Sequence, residues 1–234
     1  MGRNVHLWMY GHYGPPVVVF PSAAGFAHEW DHQGVVEALA PLLYAGKLKL
    51  YCTESNVSEA WTHSDADPRW RMERHAAFER YVLETLVPFV RDDCRSPQMR
   101  IAAAGASLGG LYAANMALKH PETFWWSLCM SGRYEARNFT GGYDAPEVYF
   151  NNPLAFVPQL GGAELDRVRQ TALTLVCGQG KWEEGCLEET VALGEVLRSK
   201  GIPAEVDLWG HDVAHDWEWW RRQAAYHLAR RLGE

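Results

Sequence analysis

The sequence predicts an α/β fold with a mostly parallel central sheet and helices on both faces. Segments with strand character alternate with segments of helical spacing along most of the chain, an order typical of parallel sheets covered by helices. The chain has 234 residues, of which 47% are hydrophobic and 22% charged, and this length buries a large core without disulfides or metals. No internal repeat or linker interrupts it, so we expect one domain over residues 1–234.

Seven runs of apolar, β-branched and aromatic residues predict the strands of this sheet. They are residues 5–10, 17–20, 47–52, 99–104, 125–131, 173–177 and 205–209. Because residues 11–16, between the first two runs, are rich in Gly and Pro, we expect these two strands to form a hairpin.

Five segments predict the helices that cover the sheet. For the longest of them, Asp67 is an N-cap and Pro68 takes the first helical position, and we expect Pro88 to kink its last turn. The helices are expected at about 29–43, 68–91, 108–119, 187–200 and 217–232. Residues 132–162 follow no simple period and predict an excursion or lid after the strand at 125–131.

Charge and hydropathy exclude several kinds of partner. The net charge is −7, from 22 basic and 29 acidic residues, and the basic residues are scattered, so we expect no nucleic-acid partner. No apolar run approaches the roughly 20 residues that span a bilayer, and the N-terminal residues lack a signal-peptide core, so we expect no membrane partner and a cytoplasmic location. Five irregularly spaced cysteines fit neither a zinc pattern nor a disulfide framework, so we expect reduced thiols.

A Gly-x-Ser-x-Gly sequence lies between the strand at 99–104 and the helix that begins at 108. In it, Ser107 stands between Gly105 and Gly109. A buried strand, a tight turn with small residues and a helix are the context of a nucleophile elbow. The alternative is that Ser107 caps the helix, but a cap does not require glycines on both sides. We therefore predict that Ser107 is a nucleophile.

A serine nucleophile needs a base, and two histidines follow the last predicted strand. His211 and His215 lie in the turn at 209–217, and spacing alone leaves the choice between them open. Their separation of four residues is also found in zinc sites. However, the glutamate of H-E-x-x-H is absent and a turn is not a continuous helix, so we expect no metal.

An acid that orients the histidine is expected after the penultimate strand, since the chain order would then be Ser, acid, His. Two adjacent carboxylates, Glu183 and Glu184, follow the strand at 173–177. Acidic residues are also common in the first turn of an exposed helix. Spacing does not choose between the two.

An oxyanion hole needs two backbone N–H donors near the developing negative charge. The first candidate is the amide of Leu108, which directly follows the nucleophile. The second is expected in the small-residue loop 21–25 after the strand at 17–20, where Ala23 is the preferred donor.

The pattern of these residues resembles that of proteins with the α/β-hydrolase fold. Within this fold, it is similar to the putative esterase family that includes S-formylglutathione hydrolases and mycolyltransferases. The resemblance covers most of the chain. It rests on residues 105–110 with the His-Pro step at 120–121, on Gly-Gln-Gly-Lys at 178–181, and on His-Asp-Trp at 215–217. The chain begins closer to its first strand than a formylglutathione hydrolase does, and it most resembles small bacterial esterase family proteins.

The resemblance implies roles for particular residues. The family places its catalytic histidine at the start of the final helix, which implies His215 rather than His211. Its catalytic acid follows a Gln-Gly-Lys stretch, which implies Glu183, with Glu184 as the alternative acid. An oxyanion donor near Ala23 is implied as well.

The function implied is that of a serine carboxylic-ester hydrolase with a Ser107–His215–Glu183 triad and an acyl-enzyme intermediate. Its substrate would be a small-molecule ester and it would need no cofactor. Two alternatives stay open, namely an acyltransferase that uses the same triad and a non-catalytic binding protein on a hydrolase fold.

Aromatic residues are abundant, with 11 tryptophans in the chain. Trp61, Trp70 and the aromatic residues of the excursion form either an acyl or aryl pocket or part of the core, and the sequence leaves both open. The excursion's aromatic residues are Tyr134, Tyr143, Tyr149 and Phe150.

Overall fold

A seven-stranded sheet forms the centre of the computed structural model, which describes residues 1–233. The strand order is β1-β3-β2-β4-β5-β6-β7. Neighbouring strands are parallel except β1, which pairs antiparallel with β3. The strands are β1 (Leu7–Tyr10), β2 (Pro16–Phe20), β3 (Lys49–Thr53), β4 (Ile101–Ala106), β5 (Phe124–Met130), β6 (Ala172–Cys177) and β7 (Ala204–Leu208).

The predicted hairpin between the first two strands is wrong. β3 lies between β1 and β2 and pairs with both. Burial explains the difference: all five residues of β2 are buried, which suits an interior strand covered on both faces. β1 exposes Trp8 and Met9 and therefore takes the edge of the sheet.

The helices flank the sheet on both faces, as predicted. Val18 and Phe20 of β2 pack with the core cluster that includes Phe78 and Leu111, while Val17 and Val19 pack with the cluster that includes Leu228. Alternate residues of one strand thus reach two separate cores. The helices are α1 (Glu29–His32), α2 (Val35–Ala38), α3 (Ala40–Tyr44), α4 (Pro68–Tyr81), α5 (Val87–Asp93), α6 (Leu108–Lys119), α7 (Pro146–Tyr149), α8 (Pro153–Phe156), α9 (Gly162–Val168), α10 (Cys186–Ser199) and α11 (Trp217–Leu232).

Two predicted helices differ in detail. The single helix expected at 29–43 is three short helices, since Gly34 adopts a left-handed conformation (φ 73°) and Pro41 lacks an N–H. The long helix runs from α4 to α5 through a π-helical segment, Val82–Leu86. This segment accommodates Pro88, which cannot donate a backbone hydrogen bond within the helix.

Residues 132–162 contain short helices tied to the core by buried polar groups. The guanidinium of Arg71, which is 2% exposed, donates to the carbonyls of Ala60, Trp61 and Phe139. The side chain of Asn151 accepts hydrogen bonds from Lys119 and His75. These contacts hold the segment against α4 and α6.

The aromatic residues considered for a pocket contribute mainly to packing. Trp61 and Tyr134 are fully buried in the core, and Tyr143 and Tyr149 pack against it. Trp70 and Phe150 remain substantially exposed. In the described part of the chain, no helix has the length and apolar character to cross a membrane.

Candidate active site

The predicted site residues lie at the carboxyl edge of the sheet, on loops or, for Leu108, at the first residue of α6. Parallel strands end at the same edge, so the residues that follow β2, β4, β5, β6 and β7 come together there. This geometry gathers side chains that are more than 100 positions apart in sequence, such as Ser107 and His215.

Ser107 occupies a sharp turn between β4 and α6. Its backbone has φ 56° and ψ −122°, a conformation that is costly for a residue other than Gly. The Ser107 amide donates to the Met130 carbonyl of β5 over 2.8 Å, which ties the turn to the sheet. The side chain makes no capping hydrogen bond, so the strained turn presents Oγ to other partners.

Glycines on either side of Ser107 allow α6 to pack tightly on the sheet. A Cβ at Gly105 would lie 2.2 Å from the carbonyl oxygen of Gly109, and a Cβ at Gly109 would lie 2.4 Å from that of Phe20. Both distances are far shorter than a van der Waals contact. The small residues of the motif are therefore required by the backbone packing of the turn.

His215 lies between Ser107 and Glu183. Its Nε2 is 3.0 Å from Ser107 Oγ, and its Nδ1 is 3.0 Å from Glu183 Oε2. The His215 amide donates to the Lys181 carbonyl, and its ring packs edge-on against Trp220 at 4.7 Å between centroids. The His215 imidazole is thus held by its own backbone and by the indole of Trp220 while it contacts both partners.

The Glu183 carboxylate is 1% exposed and is hydrogen-bonded on both oxygens. Oε1 accepts from the Ser131 hydroxyl over 2.5 Å and from the Gly178 amide over 3.3 Å. Ser131 Oγ in turn accepts from the indole N–H of Trp220 over 3.0 Å. These donors stabilise the carboxylate beside His215.

The alternative acid and base lie away from this arrangement. Glu184 and His211 are exposed, whereas Glu183 and His215 contact each other. The structure therefore brings together Ser107, which the motif predicted, and His215 and Glu183, which the family resemblance selected.

Sequence reasoning missed Ser131. It follows β5 as Ser107 follows β4, and it also has a positive φ, of 47°. Its amide donates to the Val176 carbonyl of β6 over 2.7 Å. The available signal was a Ser-Gly step at the carboxyl end of a buried strand, the position at which site residues of parallel sheets are found.

The two amides predicted for an oxyanion hole are free to donate. Ala23 lies in a turn closed by a hydrogen bond from the Gly25 amide to the Ser22 carbonyl, and Leu108 is the first residue of α6. Neither the Ala23 nor the Leu108 N–H has a protein acceptor among residues 1–233. Free amides at a helix start and in a small-residue turn suit an anion.

Two cysteines lie beside Glu183, and both are thiols rather than thiolates. Burial, reinforced by the negative charge of Glu183, raises the pKa of Cys186 to about 12 and raises that of Cys177 well above its ordinary range. Cys177 Sγ lies 3.5 Å from Glu183 Oε2, and Cys186 Sγ lies 3.7 Å from His215 Nδ1. Protonated, buried thiols are poor nucleophiles.

One cluster among residues 1–233 has the side chains to hold a metal ion. It consists of Glu183, Cys186 and His215, whose ligand atoms lie within 4.8 Å of one another. In the structure, Glu183 and His215 hydrogen-bond each other. The cluster is therefore explained by the hydrogen-bonded Glu183–His215 pair, of which His215 also contacts Ser107.

The sheet order, the strained serine after β4 and the loops at the carboxyl edge define an α/β-hydrolase fold. The profile of the putative esterase family matches residues 12–231, and the chain belongs to this family. A search of curated protein sequences finds no match.

Solved structures share the fold at low sequence identity. A ferulic acid esterase has a TM-score of 0.74 and 19% identity, with 94% of this chain and 85% of that chain covered. MPT51 of Mycobacterium tuberculosis has a TM-score of 0.73 and 16% identity, with 99% of this chain and 94% of that chain covered. An S-formylglutathione hydrolase from Agrobacterium tumefaciens has a TM-score of 0.72 and 16% identity, with 98% of this chain and 90% of that chain covered. These matches confirm the α/β-hydrolase fold that the sequence predicted.

Proposed function

We propose that the protein is a serine carboxylic-ester hydrolase acting on a small-molecule ester. Ser107 is its nucleophile, His215 its general base and acid, and Glu183 the carboxylate that orients His215. The amides of Ala23 and Leu108 bind the oxyanion. The observation that supports this assignment most is the strained Ser107, with Oγ 3.0 Å from His215 Nε2, whose Nδ1 is 3.0 Å from Glu183.

The reaction has two halves. Ser107 Oγ attacks the ester carbonyl while His215 Nε2 accepts its proton, and a tetrahedral oxyanion forms between the two amides. The intermediate collapses, the C–O bond to the alcohol breaks, and His215 protonates the leaving alcohol. His215 then takes a proton from water, which attacks the acyl-Ser107 ester and releases the carboxylic acid. Ser107 recovers its proton from His215.

The surroundings of Glu183 support its role as the partner that orients His215. It accepts hydrogen bonds from a hydroxyl and a backbone amide besides contacting His215, and these bonds fix the position of its carboxyl group. A buried anion next to Nδ1 keeps the proton on that nitrogen and leaves Nε2 as the acceptor for Ser107.

The proposal is tested by hydrolysis of p-nitrophenyl acetate and butyrate. Ser107→Ala removes the nucleophile, and we expect kcat/KM to fall by at least about 10³-fold with an unchanged circular dichroism spectrum. Ser199→Ala, an exposed serine at the end of α10, is the matched control and should keep full activity. Near-normal turnover by Ser107→Ala would contradict the proposal.

A further inference from the structure

A buried carboxylate holds the loop that contains Ala23. Glu29, in α1, is 6% exposed. Its Oε2 accepts from the Ser22 amide over 2.8 Å, and its Oε1 accepts from the Phe26 amide over 3.1 Å. No Lys, Arg or His of residues 1–233 forms an ion pair with it. Backbone amides of the loop are therefore its hydrogen-bond partners.

The two amides that Glu29 accepts from flank the turn of the loop. Between them, the Gly25 amide donates to the Ser22 carbonyl over 3.1 Å, and the Gly25 carbonyl accepts from the Ser55 amide over 3.0 Å. Gly25 has φ 82°, a conformation that favours glycine. The turn is thus fixed at both ends and at Gly25, while the Ala23 N–H keeps no protein acceptor.

Burying a carboxylate without an ion-pair partner is unfavourable unless hydrogen bonds compensate for the lost hydration. Charge-assisted hydrogen bonds to backbone amides are about twice as strong as neutral ones. Glu29 therefore fixes the directions of the Ser22 and Phe26 amides firmly. Because both amides donate to Glu29, neither is available to an oxyanion, and the Ala23 amide between them is.

We propose that Glu29 is a positioning residue for the oxyanion hole, which sets the loop conformation in which the Ala23 N–H is free to bind the oxyanion. The inference rests on the proposed function, because it concerns the transition state of ester cleavage. It adds a residue that touches no reacting atom and acts through the backbone of residues 22–26. Oxyanion contacts strengthen as the tetrahedral state forms, so their loss lowers kcat more than it raises KM.

Glu29→Gln tests the proposal with little change in size. The amide group keeps one acceptor oxygen and replaces the other with an NH₂ donor, so one of the two loop amides faces another donor. We expect kcat for p-nitrophenyl butyrate to fall about 10- to 100-fold with KM changed less than about twofold. Glu37→Gln, an exposed carboxylate of α2, is the matched control and should behave like the wild type.

A second readout separates positioning from a general loss of structure. n-Butylboronic acid forms a tetrahedral adduct with an active-site serine and mimics the intermediate. In Glu29→Gln, the inhibition constant of n-butylboronic acid should rise by about the factor by which kcat/KM falls. Active-site titration counts the folded molecules, so that kcat is calculated per folded molecule. Glu29→Asp keeps the charge one methylene further from the loop, and it should show the same pattern if Glu29→Gln does not fold.

Two results would overturn the inference. One is an unchanged kcat and boronate affinity in the Glu29 variants that fold. The other is a loss of activity that matches the loss of folded protein, with normal constants in the remainder. Failure of the proposed function looks different, because then Ser107→Ala stays active or the boronic acid does not inhibit the wild type.

Discussion

Glu183 is the residue whose surroundings are most specific for its proposed role. It is almost fully buried, contacts His215, and is supplied with hydrogen-bond donors by Ser131 and Gly178. The neighbouring Glu184 is exposed. Glu183 and Glu184 are therefore adjacent carboxylates in different environments, and their substitutions can be compared directly.

Glu183→Gln should lower kcat on the order of 10³- to 10⁴-fold, because an amide does not stabilise the imidazolium and disturbs the tautomer of His215. Ester hydrolysis at constant pH measures this. Glu184→Gln is the control and should retain normal kcat. Equal effects of the two substitutions would argue against Glu183 as the orienting acid.

Ser131→Ala removes the hydroxyl that donates to Glu183 and accepts from Trp220. The indole N–H then lacks its acceptor, so we expect the free energy of unfolding to fall by about 1–3 kcal/mol. We also expect kcat to fall about 10-fold, as Glu183 loses a donor. Urea titration and ester hydrolysis measure the two effects. Unchanged kcat would show that Ser131 does not support Glu183.

Ser107 was predicted from its motif between a strand and a helix. The expected chain order narrowed the base and the acid to two candidates each, and the family resemblance then selected His215 and Glu183. Sequence reasoning did not find Ser131 or Glu29. Their roles depend on hydrogen bonds through space, such as the one from Ser131 to a carboxylate 52 positions away. A local sequence pattern does not predict such long-range contacts. By its position alone, Glu29 is an ordinary acidic residue in the first turn of a helix.

Among the elements, the turn between β4 and α6 depends most on small residues. Gly109→Ala would place a methyl group 2.4 Å from the Phe20 carbonyl oxygen and 2.8 Å from that of Pro21. We expect the free energy of unfolding to fall by about 1–3 kcal/mol or more, and we expect activity to fall as well, because residues 20–21 lead into the Ala23 loop.

The matched control for this substitution is Gly161→Ala, where a new Cβ meets no atom within 4 Å. Chemical denaturation of both variants compares them. If Gly109→Ala were as stable as Gly161→Ala, the close packing of α6 on the sheet would not be what requires glycine there.

Helices with strong local signals were predicted well. The bounds of α6 and α11 match the expected ones, 108–119 and 217–232. The segment at 29–43 differs because a left-handed glycine and a proline interrupt an otherwise helical pattern. Local sequence patterns also do not predict which strands pair, since β1 pairs with β3 rather than with β2. The burial of β2 on both faces decides this, and only the assembled sheet shows it.

At the scale of the whole molecule, a buried histidine couples stability to pH. Burial lowers the pKa of His75 from its ordinary 6.5 to about 4, and Asn151 and Trp61 hydrogen-bond its ring. Between pH 6.5 and 4 the unfolded chain binds a proton that the folded chain does not. Stability should therefore fall with decreasing pH in this window, by up to about 3 kcal/mol.

Urea unfolding at pH 7, 6 and 5 measures this dependence. His75→Gln should flatten it, although His227, whose pKa burial also lowers, keeps part of the slope. His211→Gln, at an exposed position, should leave the slope as in the wild type. Although burial opposes it, hydrogen bonds from His120 and Lys119 lower the pKa of Glu79 to about 2. Glu79 therefore adds its own loss of stability only below about pH 4.5. A wild-type slope in His75→Gln would contradict this assignment.

Covalent labelling tests whether Ser107 is a nucleophile that His215 activates. The protein is treated with a fluorophosphonate, and the modified peptide is identified by mass spectrometry. We predict one adduct, on Ser107, formed at the rate at which ester hydrolysis is lost and strongly slowed in His215→Ala. Labelling of another residue instead of Ser107, or full ester hydrolysis by protein that carries the label on Ser107, would contradict the assignment of Ser107 as the nucleophile.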